Sequence, residues 1–580
     1  MAIFVFQFDV DINCVGRVKF ESYVIEGASA LWCAAGAGHF SIVKFLVKSG
    51  ANVNHTTKSN STPLRAACFD GRAEIVKFLV EEGKADFDIA NKFNNTSLMI
   101  AAFNGHLNVV RYLLEAGVNP NVAANCGATA LHFAAEIGTF DIVKELVEHG
   151  NADTTKQNNY GLTPLMAAAE HCQEPIVQYF FQICQNLTVK EQIDALELLG
   201  ASFANEKEHY DIDKCYEYLI KAMNLRYQEA TEPVLKQDLK VIKAYDNHQE
   251  CETMQELQMR QHNAHRLHME GLTIRERILG CEHPELPHPI VYRGAVFADA
   301  TDFDKCVSLW LHALLIKQKN SVKTPVTKDV LRFAQVFSQM ILLGVGINFN
   351  DFLGILEATA LEIADNVKRL EDTNDPNEID DKASIMADLD TNMLTFLYLM
   401  VIFGKIGGEE MNILLAMKII HKVAVEIKPK SHITGRTLIH LAVDSQTLID
   451  EFHINDVVQF PCSKTAKLLI EAGIDVQTRD FQGNTPLHLI VGYRRVVGDF
   501  LTLHAIITAL VDAGAHVDVV NNQGQTPMGK ASTEVAGIIL RGKQKLSLKC
   551  LSAQAVKRHG LSFIGQVPAS LEHFISLHGP

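Results

Sequence analysis

The chain has 580 residues, 53 of them basic and 68 acidic, and its net charge is −15. This length exceeds what one hydrophobic core can support and predicts several domains or an elongated repeat array. The acidic balance excludes a general nucleic-acid binder, and the 47% of hydrophobic residues excludes a disordered chain.

Targeting signals and cysteine usage indicate the compartment. The N-terminus lacks the basic region of a signal peptide, and the longest apolar run, residues 393–404, is too short to span a bilayer. The 12 cysteines contain no CxxC pair. We therefore expect a reduced, cytoplasmic protein that also enters the nucleus, with neither a membrane nor a nucleic acid as a partner.

A repeat of 33 or 34 residues fills the N-terminal third of the chain. One segment reads STPLRAACFDG: the Thr caps a short helix, Pro fits its first turn, the Ala pair lets helices approach closely, and the Gly ends it. A following apolar run, such as residues 75–80, predicts an outer helix. The pattern resembles the ankyrin repeat and predicts a solenoid of about five repeats over residues 20–190. The equivalent leucines are Leu31, Leu64, Leu98, Leu131 and Leu165.

The rest of the chain is also predicted to be helical, which makes the fold class all-α. Residues 191–430 have helical periodicity without the ankyrin pattern, and two stretches, 195–226 and 292–318, resemble tetratricopeptide helix pairs in which small residues lie where helices approach. Residues 431–544 contain about three degenerate ankyrin repeats stretched by insertions. Residues 545–580 predict a short helical hairpin, and residues 1–19 form a divergent N-terminal segment.

Motifs for catalysis are missing from the sequence. It contains no GxxxxGK[ST], GxSxG, HExxH or kinase motif set, so we expect a protein without catalytic residues, cofactors or a metal. Three histidines on one predicted helix, His262, His265 and His268, have the spacing of a partial metal site. The sequence suggests no further ligand, and we interpret them as an exposed helix face.

The whole set of motifs is more specific than the repeats alone. ALELLGASFA, RERILG, VYRGAV, LRFAQVFSQM, both ankyrin stacks and SLKCLSAQAV together resemble the Fem (feminization) family, whose members are substrate receptors of cullin–RING ubiquitin ligases. The resemblance covers residues 21–577. It implies a substrate-recognition subunit that promotes proteasomal degradation of its substrates.

In that family the tail is a VHL-box. Its first part binds elongin C, which pairs with elongin B, and its second part contacts cullin-two, which carries the RING protein. The resemblance implies elongin-binding residues Ser547, Leu548, Cys550, Leu551 and Val556. It implies cullin-binding residues Val567, Pro568 and Leu571.

The family's N-terminal ankyrin repeats bind substrates through a C-terminal degron that contains arginine. On this sequence, the Asp70 carboxylate would pair with the guanidinium, with Phe69 packed beside it and the Trp32 ring stacked on it. Contacts to the peptide backbone or its terminal carboxylate would come from Ser61, Asn60 and Arg65. Glu21 aligns where the family has the Asp of FDGE.

The sequence departs from the family before Phe20, where the family has one more repeat. This segment has no TPLHxAA pattern, which leaves a shortened chain or a lost repeat open, with residues 3–8 as a cap or a loose end. The alternative function is an ankyrin and tetratricopeptide scaffold without a ligase role. The oligomeric state also stays open, a homodimer included.

Overall fold

The computed structural model describes residues 11–20, 23–228, 234–236, 240–320, 325–372, 379–406, 410–494, 496–543 and 548–578. The chain forms two compact units, Met1–Tyr292 and Arg293–Pro580. Their described residues form 29 α-helices and almost no strands, which confirms the predicted all-α solenoid. The boundary between the units falls inside the predicted middle region, so each unit takes part of it.

The first unit opens with an antiparallel β-hairpin that the sequence did not predict. Strand β1 (Val15–Phe20) pairs with β2 (Tyr23–Ser29), with Val15 opposite Ser29. The Lys58 backbone N–H donates to the Glu26 carbonyl over 2.9 Å, which joins β2 to the first repeat loop. The hairpin therefore covers the start of the repeat array. Residues 3–8, the expected cap, lie outside the described part of the chain.

Five inner and outer helix pairs follow the hairpin, in the phase that the sequence predicted. The five marker leucines are each at most 3% exposed. Small pairs such as Ala66–Ala67 and Ala101–Ala102 are buried between neighbouring inner helices. The helices are α1 (Ala30–Gly36), α2 (Phe40–Lys48), α3 (Pro63–Phe69), α4 (Ala73–Glu81), α5 (Ser97–Phe103), α6 (Leu107–Glu115), α7 (Ala130–Ile137), α8 (Phe140–Glu148), α9 (Pro164–Glu170) and α10 (Glu174–Ile183).

Glycine is required where an inner helix turns into an outer one. Gly138 ends α7 in the left-handed region at φ +87°, and a Cβ there would lie 2.2 Å from the side-chain oxygen of Gln173. Gln173 in turn donates to the Glu136 carbonyl. The missing side chain therefore lets one repeat reach back to the repeat before it.

Five further helices follow in the first unit, all but α13 longer than the repeat helices: α11 (Val189–Asn205), α12 (Ile212–Arg226), α13 (Met254–Arg260), α14 (Ala264–Leu279) and α15 (Pro287–Asp299), which runs past the boundary of the unit. A Cβ on Gly200 would approach the Cys215 carbonyl oxygen to 3.0 Å, so this glycine lies at a close approach of α11 and α12, as predicted. Inside, the Glu197 carboxylate accepts from Arg226 over 2.7 Å and from Arg277 over 2.5 Å.

The second unit begins with helices α16 (Phe303–Lys319), α17 (Thr327–Leu343), α18 (Phe349–Asp372), α19 (Ile379–Ile406) and α20 (Glu410–His421), followed by the π-helical turn Lys422–Ile427. The apolar run 393–404 was predicted to be too short to span a bilayer, but it lies within a longer helical stretch of α19, Lys382–Ile406, that is long and apolar enough by length and composition to cross a membrane. However, 67% of its most apolar window is buried inside the protein, as a core helix would be.

The C-terminal ankyrin helices share one hydrophobic core with these helices, from Phe303 to Leu540. An insertion helix, Ile454–Val457, packs on α17. The C-terminal helices are α21 (Leu438–Val443), α22 (Ile454–Val457), α23 (Ser463–Glu471), α24 (Pro486–Val491), α25 (Val496–Asp512), α26 (Pro527–Lys530), α27 (Glu534–Lys543), α28 (Leu548–Arg558) and α29 (Ala569–Leu577).

Buried histidines join successive C-terminal repeats. His440 accepts from Thr437 through Nδ1 and donates through Nε2 to the Asn484 carbonyl over 3.0 Å. His488 repeats the arrangement with Thr485 and the Gln525 carbonyl. Burial lowers the pKa of each ring to about 4, so both rings are neutral in the folded protein.

Candidate functional site

The second N-terminal repeat brings two of the predicted side chains to the end of its inner helix. Asp70 follows α3 directly as its C-cap residue, and its carboxylate lies against Gly36 of the preceding inner helix. Phe69, one residue earlier, is 42% exposed. Its carbonyl accepts from Asn104 over 2.8 Å and from His106 over 2.9 Å. The next repeat therefore fixes the backbone that presents Phe69 and Asp70.

The Asp70 carboxylate is partly buried and forms no ion pair with any other residue that the structure describes. Among the described residues, no lysine, arginine or histidine nitrogen lies within 4.0 Å of it. Burial raises the pKa of Asp70, while the nearby Arg72 and His106 lower it. A partly desolvated carboxylate that forms no ion pair would be stabilised by an incoming guanidinium, because two N–H groups of the guanidinium can donate to both carboxylate oxygens.

Trp32 and Ser61, which were both predicted to contact the degron, contact each other in the structure. The Trp32 indole N–H donates to the Ser61 hydroxyl over 3.2 Å. Ser61 is only 5% exposed and its backbone N–H donates to Thr57. The hydrogen bond orients the indole, while the prediction that Ser61 donates to a peptide finds no support because its hydroxyl is buried.

Asn60 and Arg65 differ in how many of their side-chain N–H groups are already used in hydrogen bonds within the protein. The Asn60 side-chain amide donates to the Ala90 carbonyl over 2.7 Å, so one of its donors is used within the protein. Arg65 lies in the first turn of α3, and burial lowers the pKa of its guanidinium. Its Nε is buried and has no hydrogen-bond partner within the structure. Such a group favours an anion.

Glu21, the remaining residue predicted to bind the degron, lies outside the described residues.

A second exposed aromatic residue in the same position of the repeat was not identified from the sequence. Phe103 occupies the position of Phe69 one repeat later, is 38% exposed and packs edge to face on Phe133. The spacing of 34 residues from Phe69 was the signal that could have found it. Arg72 and His106, which flank Asp70, follow the helix-ending glycines at the same spacing.

The histidine triplet is not an exposed helix face throughout. His265 contacts the Asp246 carboxylate over 2.6 Å. His268 is 6% exposed, and its Nδ1 donates to the Ala204 carbonyl. The prediction was wrong for His268 because helix α14 packs on α11 there.

The C-terminal helices present some of the predicted elongin-binding residues and bury another. On α28, Leu548 is 83% exposed and Leu551 is 45% exposed, whereas Val556 is half-buried. Cys550 is only 2% exposed, and its sulfur lies 3.1 Å from His516 Nδ1 in the last ankyrin repeat. Cys550 therefore faces the protein's own interior here, contrary to the expected insertion into a partner. Ser547 lies outside the described residues.

The predicted cullin-binding residues lie at the start of the last helix. Pro568 is the exposed N-cap residue of α29, and Val567 and Leu571 on either side of it are half-buried. The Lys549 ammonium lies 4.3 Å from the centre of the Phe574 ring, which ties α29 to α28. The two helices form the hairpin that the sequence predicted.

The structure presents ankyrin repeats with ordered side chains at the ends of their inner helices. This is the arrangement of a protein-interaction adaptor. A family model for ankyrin repeats (3 copies) matches residues 8–91, 31–124 and 98–191. The chain is 32% identical to protein fem-1 homolog A of Rattus norvegicus, over 98% of this chain and 90% of that protein. It is 36% identical to protein fem-1 homolog C of Homo sapiens, over 76% of this chain and 68% of that protein. The chain belongs to the Fem-1 family.

Proposed function

We propose that this protein is the substrate-recognition subunit of a cullin-two and elongin RING ubiquitin ligase. Its N-terminal ankyrin repeats bind the C-terminus of substrates that carry an arginine near the chain end. Its C-terminal helices dock elongin C, together with elongin B, and cullin-two with the RING protein. The observation that carries the proposal is Asp70, a partly buried carboxylate with no cation paired to it among the described residues.

The charges on α3 fit a chain end. Asp70 lies at its C-terminal end and Arg65 in its first turn, about 7.5 Å apart along the axis at 1.5 Å per residue. A substrate arginine on Asp70 and a terminal carboxylate near Arg65 would each give a desolvated charge its partner. The exposed Phe69 ring beside Asp70 offers an apolar surface for the methylene groups of the arginine.

The protein in this proposal acts without catalysing a reaction itself. Binding holds the substrate beside the ubiquitin-charged enzyme that the RING protein recruits, and this raises the effective concentration of substrate lysines. Such a role needs two separate surfaces, one for substrate and one for the ligase core. Leu548 and Leu551, both exposed on α28, are the apolar side chains offered to elongin C. The complex would operate in the cytoplasm and the nucleus.

The experiment measures fluorescence polarisation of a labelled peptide ending in arginine on the full chain. We expect Asp70→Ala to weaken binding about ten-fold or more, because a charge-assisted pair at a desolvated site is lost. Asp70→Asn should have a similar effect, since it keeps the shape and removes the charge. Glu74, exposed on the outer helix of the same repeat, supplies the matched control Glu74→Ala.

Two results would contradict the proposed binding site. One is an Asp70→Ala chain that binds the peptide as tightly as the unchanged protein. The other is equal affinity for a peptide in which the arginine is replaced by alanine. Amidation of the peptide's terminal carboxylate tests Arg65 separately and should also weaken binding.

A further inference from the structure

Four side chains with metal-binding atoms meet at the C-terminal end of the second unit. They come from three separate segments: His516 and Asp518 from the turn after α25, Cys550 from α28, and His578 from just beyond α29. One ligand atom of each lies within 4.8 Å of every other. Among the described residues, this is the one group of three or more such side chains.

Three members of this cluster are deeply buried. Asp518 is 6% exposed, Cys550 2% and His578 1%. Asp518 Oδ1 and His578 Nε2 have no hydrogen-bond partner, and they lie 3.6 Å apart. Buried polar atoms without hydrogen bonds are rare and costly in folded proteins. A cation bound between these two atoms would satisfy both of them.

Neighbouring groups fix the orientation of two of the four side chains, His578 and Asp518. His578 Nδ1 donates to the Phe574 carbonyl over 2.8 Å, which leaves the lone pair on Nε2. Asp518 Oδ2 accepts from the Gln554 side-chain amide over 2.8 Å, which leaves Oδ1 for the cluster. A hydrogen bond on the outer atom of each ligand is the arrangement that protein metal sites use to fix tautomer and orientation.

We propose that these four residues bind one zinc ion. Tetrahedral zinc with bonds of about 2.0–2.3 Å holds its ligand atoms about 3.3–3.7 Å apart. The His516–Cys550 and Asp518–His578 separations of 3.1 and 3.6 Å are close to this. Thiolate and imidazole donors favour zinc over magnesium or calcium, which prefer oxygen. Because the protein supplies four ligands, the site is structural rather than catalytic.

The zinc site ties the C-terminal helices to the last ankyrin repeat. Backbone contacts already join them: the Val520 N–H donates to the Leu577 carbonyl over 2.9 Å, and Val519 pairs with His578. A metal at this junction holds Cys550 inward and so leaves Leu548 and Leu551 on the exposed side of α28. Cys550 thereby positions the helix as a zinc ligand instead of entering a partner.

The test is the zinc content of the purified full chain, with any affinity tag removed, by mass spectrometry of the metal. We expect about one zinc per chain, and a loss of most of it in Cys550→Ser and in His578→Asn. The matched controls His573→Asn, exposed on α29, and Cys126→Ser, exposed in the N-terminal repeats, should retain it.

Cobalt titration of the metal-stripped, unsubstituted chain keeps the test independent of how the variants fold. We expect one cobalt per chain, with a thiolate charge-transfer band and a tetrahedral visible spectrum. Gln554→Ala, which removes the hydrogen bond to Asp518, should weaken the metal about ten-fold. Full zinc in both Cys550→Ser and His578→Asn would overturn the proposal, as would an unsubstituted chain that binds neither metal. Neither measurement requires elongin or substrate.

Discussion

The two ankyrin stacks share a sequence pattern, but they use their helices differently. In the N-terminal stack the inner helices have seven or eight residues, and each is followed by an outer helix after a short turn. In the C-terminal stack the inner helices α21, α24 and α26 have only six, six and four residues. The first stack keeps its register, whereas insertions interrupt the second.

This difference agrees with the proposed roles, in which the first stack binds a ligand and the second packs against other helices of its own unit. The regular stack leaves side chains such as Phe69 and Phe103 exposed at the ends of inner helices. The irregular stack is part of the core that begins at Phe303, and its insertion contacts α17, where Gln335 donates to Asp450 over 3.2 Å. A regular array suits the substrate binding that we propose for the first stack, whereas the second stack packs with the helices around it.

Matched core truncations provide the strongest test of this comparison. Leu131 and Leu487 are equivalent inner-helix residues and are both 0% exposed. Leu131→Ala and Leu487→Ala should each cost about 2–5 kcal/mol. Hydrogen exchange should show that Leu131→Ala loosens mainly the adjoining repeats, while Leu487→Ala loosens the shared core as far as the helices after Phe303. A Leu487→Ala effect confined to its own repeats would break the distinction.

Replacing the exposed Leu548 of α28 tests whether the C-terminal helices dock elongin B–C, as proposed. Leu548→Ser should weaken binding of purified elongin B–C by at least about thirty-fold, as expected for an interface anchor worth about 2 kcal/mol or more. Biolayer interferometry on the full chain measures this. Leu561, 58% exposed beyond α28, gives the control Leu561→Ser. If the unsubstituted chain does not bind elongin B–C, the scaffold function without a ligase role is favoured.

Acidification should affect the C-terminal stack more than the N-terminal one. His440 and His488 have pKa values of about 4 when folded, below the unperturbed value of about 6.5. Their contribution to stability is present above about pH 6.5 and is lost as the pH falls toward 4. From pH 7 to pH 5 the loss is about 2 kcal/mol for each ring. In the N-terminal stack, burial lowers the pKa of His132 in the same role.

Hydrogen exchange of peptides covering residues 437–491, corrected for intrinsic rates, measures the acid effect. His488→Gln should lower stability at pH 7 and reduce its dependence on pH. Equal acid sensitivity of the two stacks would contradict the account based on the number of buried histidines.

Much of the repeat architecture could be predicted because periodicity reports burial directly. The leucine spacing indicates the phase of five repeats, and the small residue Gly200 within an apolar helical run marks a helix crossing. The hairpin of β1 and β2 was missed because no local pattern distinguishes it from a divergent repeat. Sequence also could not place α22 on α17, because that contact joins residues more than a hundred positions apart.

The candidate sites could be predicted only in part, because contacts between distant segments of the chain decide which side chains are exposed. Asp70 was predicted to bind arginine from the family resemblance, and this stays a prediction; the partial burial of its carboxylate came only from the structure. Cys550 was expected to face a partner, but helical periodicity cannot tell a surface that binds another protein from one that packs on the same chain. His516 and His578 are 62 residues apart, so only the fold brings them together.

The most direct test of the proposed division of labour joins both surfaces in one measurement. A peptide ending in arginine is immobilised, and the chain and elongin B–C that it retains are quantified together. The unsubstituted chain should carry elongin B–C to the peptide. Asp70→Ala should lower retention of both about ten-fold, and Leu548→Ser should retain the chain but lose elongin B–C. Retention of the chain regardless of Asp70, or of elongin B–C regardless of Leu548, would contradict the account.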